Sequence, residues 1–198
     1  MNQTKQLLAD ALIELCEIKS LDEITVTEIA NKCNMTRQIF YYHFDDKYAL
    51  AKWIHLWDNA TMLLQTQGEA FQTVDWNMIC TAYLSALQKR KKFYRNLYYS
   101  AEQKEFQRIM RECIRQMYVI ILTSSSDEDV SEDVQYALQV YCYGGTQLIF
   151  EWIQTGMTMP IERLSYLLFY SMPSCLQEPI GKLKMSLAEY KELYTSLQ

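Results

Sequence analysis

The chain of 198 residues carries little of the equipment of catalysis. Its 2 histidines are His43 and His55, its 6 cysteines are scattered singly with no CxxC pair, and it has no glycine-rich phosphate loop. Nucleophilic, acid–base and metal-assisted chemistry each need such groups at close spacing, and no carboxylate pair stands apart from the solvated acids. The chain is therefore expected not to be an enzyme, with no cofactor and no metal site, and the cysteines are expected to be reduced, buried and structural. An alternation of Asp127, Asp129, Ser131 and Asp133 opens like a calcium loop, but Glu132 stands where such a loop requires glycine and Leu138 where it requires the closing glutamate. What the chain does carry is a short run of hydrogen-bonding groups. Thr36, Arg37, Gln38, Tyr41, His43 and Lys47 bring hydroxyl, guanidinium, amide, phenol, imidazole and ammonium groups into one stretch. Tyr41, His43 and Lys47 flank a corner between two predicted helices and can share a polar surface whose donors suit phosphate oxygens.

Those groups need a scaffold. Thr25-Val26-Thr27-Glu28 has the spacing of a capping box and predicts a short helix ending near Cys33-Asn34, where asparagine tolerates the left-handed conformation of a tight turn. Thr36 can cap a further helix running to about Phe44. Two short helices joined in this way match the helix-turn-helix, whose second helix enters the major groove of DNA by its N-terminal end. A preceding helix is predicted from Lys5 to Lys19, with Thr4 as N-cap and Leu8, Ala11, Leu12, Leu15 and Cys16 on one face. Asp45-Asp46 caps a fourth helix from Lys47 towards Gln65. Ile39, Phe40 and Phe44 are expected to be core.

Across the whole chain, 5 glycines, 3 prolines and apolar residues at helical spacing predict an all-α fold. Further helices are predicted over Val74–Lys91, Phe93–Tyr99, Glu102–Thr123, Val130–Thr155, Ile161–Met172 and Leu187–Leu197, with Ser124–Asp133 an exposed connection. The cluster Lys89-Arg90-Lys91-Lys92-Phe93-Tyr94-Arg95 could form a second nucleic-acid patch, but it is expected to be a solvated helix end. The division expected is a three-helix N-terminal domain over residues 1–47 and a helical domain over 48–198. With 49% hydrophobic residues, no membrane-length apolar window and no signal-peptide core at Met1-Asn2-Gln3-Thr4-Lys5, the chain is expected to be folded, soluble and cytoplasmic. Its net charge of −5, with five Lys/Arg against eight Asp/Glu in residues 1–50, means that DNA contact must come from a few placed donors rather than a bulk field.

The run from Ile29-Ala30 through Thr36-Arg37-Gln38-Ile39-Phe40-Tyr41-Tyr42-His43-Phe44-Asp45-Asp46-Lys47-Tyr48-Ala49-Leu50 resembles the signature of the TetR/AcrR family of transcriptional regulators. The resemblance implies double-stranded DNA as a partner, homodimerisation through the last long helices, and most often repression of a pseudo-palindromic operator. It puts Arg37 and Gln38 where the family reads base edges, and Thr36, Tyr41, His43 and Lys47 where it holds phosphates. The residue types agree, since a guanidinium fork suits guanine and an amide suits adenine. Asn34 departs from the glycine common at the family's turn.

Aromatic residues are dense in the second domain. The resemblance implies that a subset lines an effector pocket, for which Trp57, Tyr83, Tyr98, Tyr118 and Tyr141 are the candidates. Phe93-Tyr94-Arg95-Asn96-Leu97 and Trp152-Ile153-Gln154-Thr155-Gly156, with Arg37-Gln38 and Asp46-Lys47-Tyr48, look like the dihydroxyacetone-kinase-regulator subgroup, whose prototype is an activator controlled by a partner protein. The signal is thus a small-molecule effector or a partner protein, and a helical adaptor that has lost DNA binding is the third possibility. Dimerisation is expected through Val130–Thr155 and Ile161–Met172, where Gly144-Gly145 permits close helix approach.

Overall fold

Leu8, Ala11, Leu12 and Leu15 recur at helical spacing, and they form the buried face of α1 (Gln3–Leu15). The computed structural model describes residues 3–67, 75–124, 130–183 and 186. Thr4 lies inside α1 rather than at its N-cap, and the helix stops short of the predicted Lys19. The stop has a tertiary cause. Asn96 Nδ2 donates to the Cys16 carbonyl at 2.9 Å and Lys92 Nζ to that of Glu17 at 3.2 Å, so acceptors left open at the helix end find partners on another element.

A single 3₁₀ turn, Leu21–Glu23, leads to α2 (Val26–Lys32). The predicted capping box is present: Glu28 N–H donates to Thr25 Oγ1 at 3.2 Å and Thr25 N–H to Glu28 Oε2 at 2.8 Å. After α2 the chain turns through Asn34 at φ 56°, with Met35 N–H donating to Ala30 O at 2.8 Å and Asn34 N–H to Asn31 O at 3.1 Å. Those two bonds are the Schellman pattern, which reverses the chain within a few residues and sets the angle of the next helix. Thr36 then caps α3 (Arg37–His43), its hydroxyl accepting from Ile39 N–H at 3.4 Å. Asp46 Oδ1 accepts from Tyr48 and Ala49 N–H at 2.8 and 2.7 Å to open α4 (Lys47–Gln67).

Seven residues of α3 present one inward stripe. Phe40 and Phe44, four apart, fill it. Ile39 does not, and at 39% exposure it is surface rather than the predicted core, because it lies away from that stripe on the helical wheel.

The remaining helices are α5 (Trp76–Lys89), capped by Asp75, α6 (Lys91–Tyr98), α7 (Gln103–Ser124), α8 (Glu132–Gln154), capped by Ser131, α9 (Ile161–Tyr170) and α10 (Ser174–Gly181). All regular elements among the described residues are helices, as the composition predicts. α4 packs on both α1 and α5, α6 on α7 and α8, and α5 on α9. The helix α10 is not predicted from sequence, since Pro173, Pro179 and Gly181 read as breaks. It forms because Leu176 and Ile180, one turn apart, bury completely against α7 and α8, which outweighs the helical bond lost at Pro179. All six cysteines are free thiols; Cys16 and Cys142 are buried as expected, Cys33, Cys80 and Cys113 are half-buried, and Cys175 is exposed, contrary to that expectation. The expected helix Leu187–Leu197, and residues 125–129 with their calcium-like alternation, lie outside the described residues.

The turn at Asn34 supplies a test. Asn34→Gly should keep urea stability within a few tenths of a kcal/mol, whereas Asn34→Val should lose about 1–2 kcal/mol, the cost of forcing a β-branched residue into the left-handed region. Equal stabilities for the two variants would contradict the turn geometry.

Candidate functional site

At 100° per residue, Arg37, Gln38, Tyr41 and Tyr42 share the outward face of α3, and all four are exposed. The Arg37 guanidinium lies over the Tyr41 ring, 5.8 Å from its centroid, with Nη2 3.5 Å from the phenol oxygen. Stacking on the residue one turn on restricts the guanidinium without spending it on a carboxylate. Tyr42, 83% exposed, is a residue of this face that the sequence reasoning did not assign. Its position four residues after Gln38 was the available signal. His43 is half-buried, its ring edge-on to that of Tyr42 with centroids 4.9 Å apart. The Thr36 hydroxyl is exposed and keeps its own proton while it accepts from Ile39.

Lys47 is placed differently from the others. Its ammonium donates to the carbonyls of Asp22 at 2.7 Å and Ile24 at 2.8 Å, so two of its three N–H groups bind the start of α4 to the segment before α2. Other nearby cations are spent on carboxylates. Lys19 pairs with Glu28, and Lys32 with Glu14 at 2.8 Å. The Lys19 ammonium and the Thr25 donors hold the Glu28 carboxyl down at about 2, so this cap stays ionised throughout the physiological range. Lys5 lies 5.5 Å from the Phe44 ring centroid instead.

The helix-turn-helix is seated by side chains of other elements. The Asn96 amide of α6 bridges it, Oδ1 accepting from Leu21 N–H at 3.1 Å while Nδ2 holds the Cys16 carbonyl. Lys92 pairs with Glu17 at 3.0 Å, and Asp22 accepts from Ala101 N–H at 3.0 Å and from the Tyr48 hydroxyl at 2.8 Å. Burial and the Asp22 bond push the Tyr48 phenol up to about 12. In the basic run at 89–92, Lys89, Lys91 and Lys92 are exposed, as a solvated helix end predicts, while Lys92 also ties to Glu17 and Arg90 departs from that reading by reaching inward to Asp58 at 3.0 Å.

That Arg90–Asp58 pair belongs to a buried polar group under the middle of α4. Tyr94, fully buried on α6, donates to Asp58 Oδ2 at 2.8 Å and lies 3.5 Å from His55 Nδ1. Asn59 Nδ2 is 3.0 Å from His55 Nε2, which makes Nε2 the acceptor and leaves the ring proton on Nδ1. Burial holds the imidazole neutral, with its pKa lowered to about 3. Burial also raises the Asp58 carboxyl, against the pull of Arg90.

Asn59 in turn lines a cavity of about 40 Å³ between α4, α5, α7 and α8. Of the predicted pocket residues, Tyr83, Tyr118 and Tyr141 line it. Trp57 and Tyr98 do not: Trp57 stacks on Trp53 at 5.5 Å, and Tyr98 packs between Tyr99 and Phe150. Helix phase explains the first, since Asn59 takes the cavity-facing position of α4 while Trp57, two residues back, falls on another side. Thr146 also lines the cavity, and nothing in its local sequence marks it out.

Two family models match the chain. Residues 8–53 match that of bacterial regulatory proteins of the tetR family, and residues 74–173 match that of a transcriptional regulator C-terminal region. Among solved structures the chain is similar to the dihydroxyacetone kinase operon activator DhaS, with a TM-score of 0.67 and 18% identity over 93% of this chain and 100% of that one. It is also similar to NalD, the secondary repressor of the MexAB-OprM multidrug efflux pump in Pseudomonas aeruginosa, with a TM-score of 0.50 and 13% identity over 91% of this chain and 97% of that one. At these identities the likeness is one of fold. No curated protein matches the sequence.

The buried histidine makes stability pH-dependent. Between its folded value of about 3 and its ordinary 6.5, the unfolded chain binds a proton that the folded chain refuses. The stability that rests on neutral His55 is thus complete above pH 6.5 and is lost as pH falls. Asp58, raised above 3.8, acts in the opposite sense from that pH upward. Urea stability should therefore fall below pH 6.5 by up to roughly 1.4 kcal/mol per pH unit, and His55→Gln should flatten that slope. An equal slope in the variant would remove His55 as its source.

Proposed function

Given that the chain belongs to the TetR family of transcriptional regulators, which bind DNA through the N-terminal helix-turn-helix, we propose that it acts as a homodimeric repressor on a pseudo-palindromic operator. The observation that carries this reading is the face of α3, where Arg37, Gln38, Tyr41 and Tyr42 project together from a helix whose angle is set by the Asn34 turn. Arg37 and Gln38 read base edges. Thr36, Tyr41 and His43 hold phosphates, and Lys47 contributes its remaining N–H to a phosphate while its other two anchor α4. The domain that reads DNA spans residues 1–47 and the domain that dimerises and receives the signal spans 48–198, in the cytoplasm of the cell.

The dimer forms through α8 and α9. Tyr136, Val140, Tyr143 and Leu148 on α8 and Tyr166 and Tyr170 on α9 are exposed, a gathering of large apolar side chains of the kind that marks an interaction surface. A Cβ at Gly144 would meet nothing within 4 Å in its own chain, so that glycine leaves room for a second helix rather than for a neighbour within the protomer. Two-fold symmetry then sets half-sites a helical turn, ~34–36 Å, or a multiple apart.

A second reading is that the protein activates transcription. The observation that favours it is the likeness to the activator DhaS, which has a higher TM-score than that to the repressor NalD. Transcription in vitro from a promoter carrying the selected operator separates the two signs.

Selection from random duplexes followed by substitution tests the DNA reading. Arg37→Ala or Gln38→Ala should cost roughly 1–3 kcal/mol per half-site and relax preference at one or two base pairs. Tyr41→Phe should weaken all sequences about equally. Lys47→Ala should do the same and flatten the salt dependence by about one unit per half-site. Unchanged sequence preference in both Arg37→Ala and Gln38→Ala would refute the assignment of roles.

The interface has its own test. Val140→Asp would bury an unpaired carboxylate at the α8 contact, and it should convert a dimer into a monomer in sedimentation at micromolar concentration, with loss of operator binding. A variant that remains dimeric would move the interface elsewhere.

A further inference from the structure

We propose that the cavity between α4, α5, α7 and α8 binds a small, uncharged, largely apolar molecule carrying a single hydrogen-bonding group, which the Thr146 hydroxyl reads. The link from this ligand to DNA rests on the regulator reading above, but the binding itself does not.

Most polar groups at the cavity are engaged with neighbours, and the Thr146 hydroxyl is not. The phenols of Tyr118 and Tyr141 are tied into a chain: Trp76 Nε1–H donates to the Tyr118 oxygen at 2.9 Å, the Tyr118 hydroxyl meets that of Tyr141, and Tyr141 donates to the Leu168 carbonyl at 2.8 Å. Asn59 is engaged with His55. Thr146 Oγ1 has no partner, although the residue is only 2% exposed. Other threonines in or at the end of helices turn their hydroxyls back on the carbonyl four residues earlier, Thr81 to Asn77 at 2.7 Å and Thr155 to Glu151 at 2.8 Å. Thr146 does not make that bond, and a buried hydroxyl left open in this way is costly until something fills it.

The walls restrict what that can be. Among the described lining residues there is no aspartate, glutamate, lysine, arginine or histidine. The Cys80, Cys113 and Cys142 thiols also line the cavity, and burial pushes them up to about 12, 11 and 12, so they too are uncharged. An ionic ligand would lose its hydration with no countercharge to replace it. The volume of about 40 Å³ is some three times what one water needs, which suits a molecule of roughly three to five non-hydrogen atoms. Occupancy would be felt by α4 directly, because Asn59 touches both the cavity and His55.

Three molecules of one shape separate the terms: acetone is neutral with one acceptor, acetate is its charged counterpart, and isobutene lacks the acceptor. Each is titrated into full-length protein without DNA and followed by the methyl resonances of Ile79 and Ile149, which line the cavity. Acetone should shift both methyls saturably, bind at least tenfold tighter than acetate, and bind roughly three- to tenfold tighter than isobutene. Thr146→Val keeps the shape and removes the hydroxyl, so it should abolish the preference for acetone over isobutene. Thr146→Ser should retain that preference and controls for folding. Acetate binding as tightly as acetone, a preference that survives in Thr146→Val, or no saturable shift from any of the three would overturn the proposal. Operator affinity is then measured with and without saturating acetone. Binding without an effect on the operator supports the site and removes the signalling reading alone.

Discussion

The amide of Asn96 holds the helix-turn-helix and the helices behind it in one frame. A single part-buried side chain accepts from Leu21 N–H and donates to Cys16 O, so α6 grips the stretch between α1 and α2 from one side. Lys47 at the start of α4 grips it from the other through the carbonyls of Asp22 and Ile24. An amide is suited to the task because it offers a donor and an acceptor in fixed geometry and stays uncharged at any pH. The clamp fixes where the segment before α2 sits against α4 and α6, and within that frame the Asn34 turn sets the angle of α3.

The clamp also explains how an acidic protein can present a recognition surface. Several cations near the helix-turn-helix are consumed by structure: Lys19 and Lys32 by carboxylates, Lys47 largely by carbonyls. Arg37 is left projecting with its guanidinium stacked on Tyr41. On the proposed reading, specificity rests on the geometry of a few neutral donors and one guanidinium, with little contribution from long-range attraction. The proposed DNA surface is accordingly narrow, and Tyr42 enlarges it in the direction of hydrogen bonding and stacking rather than charge.

One helix connects that surface to the interior. α4 begins beside the clamp and carries His55, Asp58 and Asn59 into the core, where Tyr94 and Arg90 meet them. A buried ion pair of this kind contributes little net stability against an apolar alternative, yet breaking it by removing one partner is costly, so it favours one register of α4 against α6. Because Asn96 lies on the same α6 as Tyr94, a displacement of α4 at the cavity and the seating of the helix-turn-helix share a rigid element. The proposed coupling would need no change in the fold, only a small shift of packed helices.

Much of the fold was legible in sequence because its signals are local. Helical periodicity, the Thr25/Glu28 capping box, the left-handed Asn34 and the Thr36 cap each involve residues within a few positions of one another, and the helix-turn-helix follows from them. Helix ends were less legible where partners from distant segments set them, as Asn96 and Lys92 do for α1. The same holds for α10, which exists despite its proline because Leu176 and Ile180 find a surface to cover. The family resemblance implied a pocket among the aromatic residues without saying which rings line it: Tyr83, Tyr118 and Tyr141 line the cavity, while Trp57 and Tyr98 pack elsewhere. Residue types and short spacings thus determined the helices and the chemistry of the α3 face. Which groups are consumed by partners and which are left open, Lys47 on one side and Thr146 on the other, was decided by tertiary structure, because hydrogen-bond satisfaction depends on neighbours brought together from across the chain.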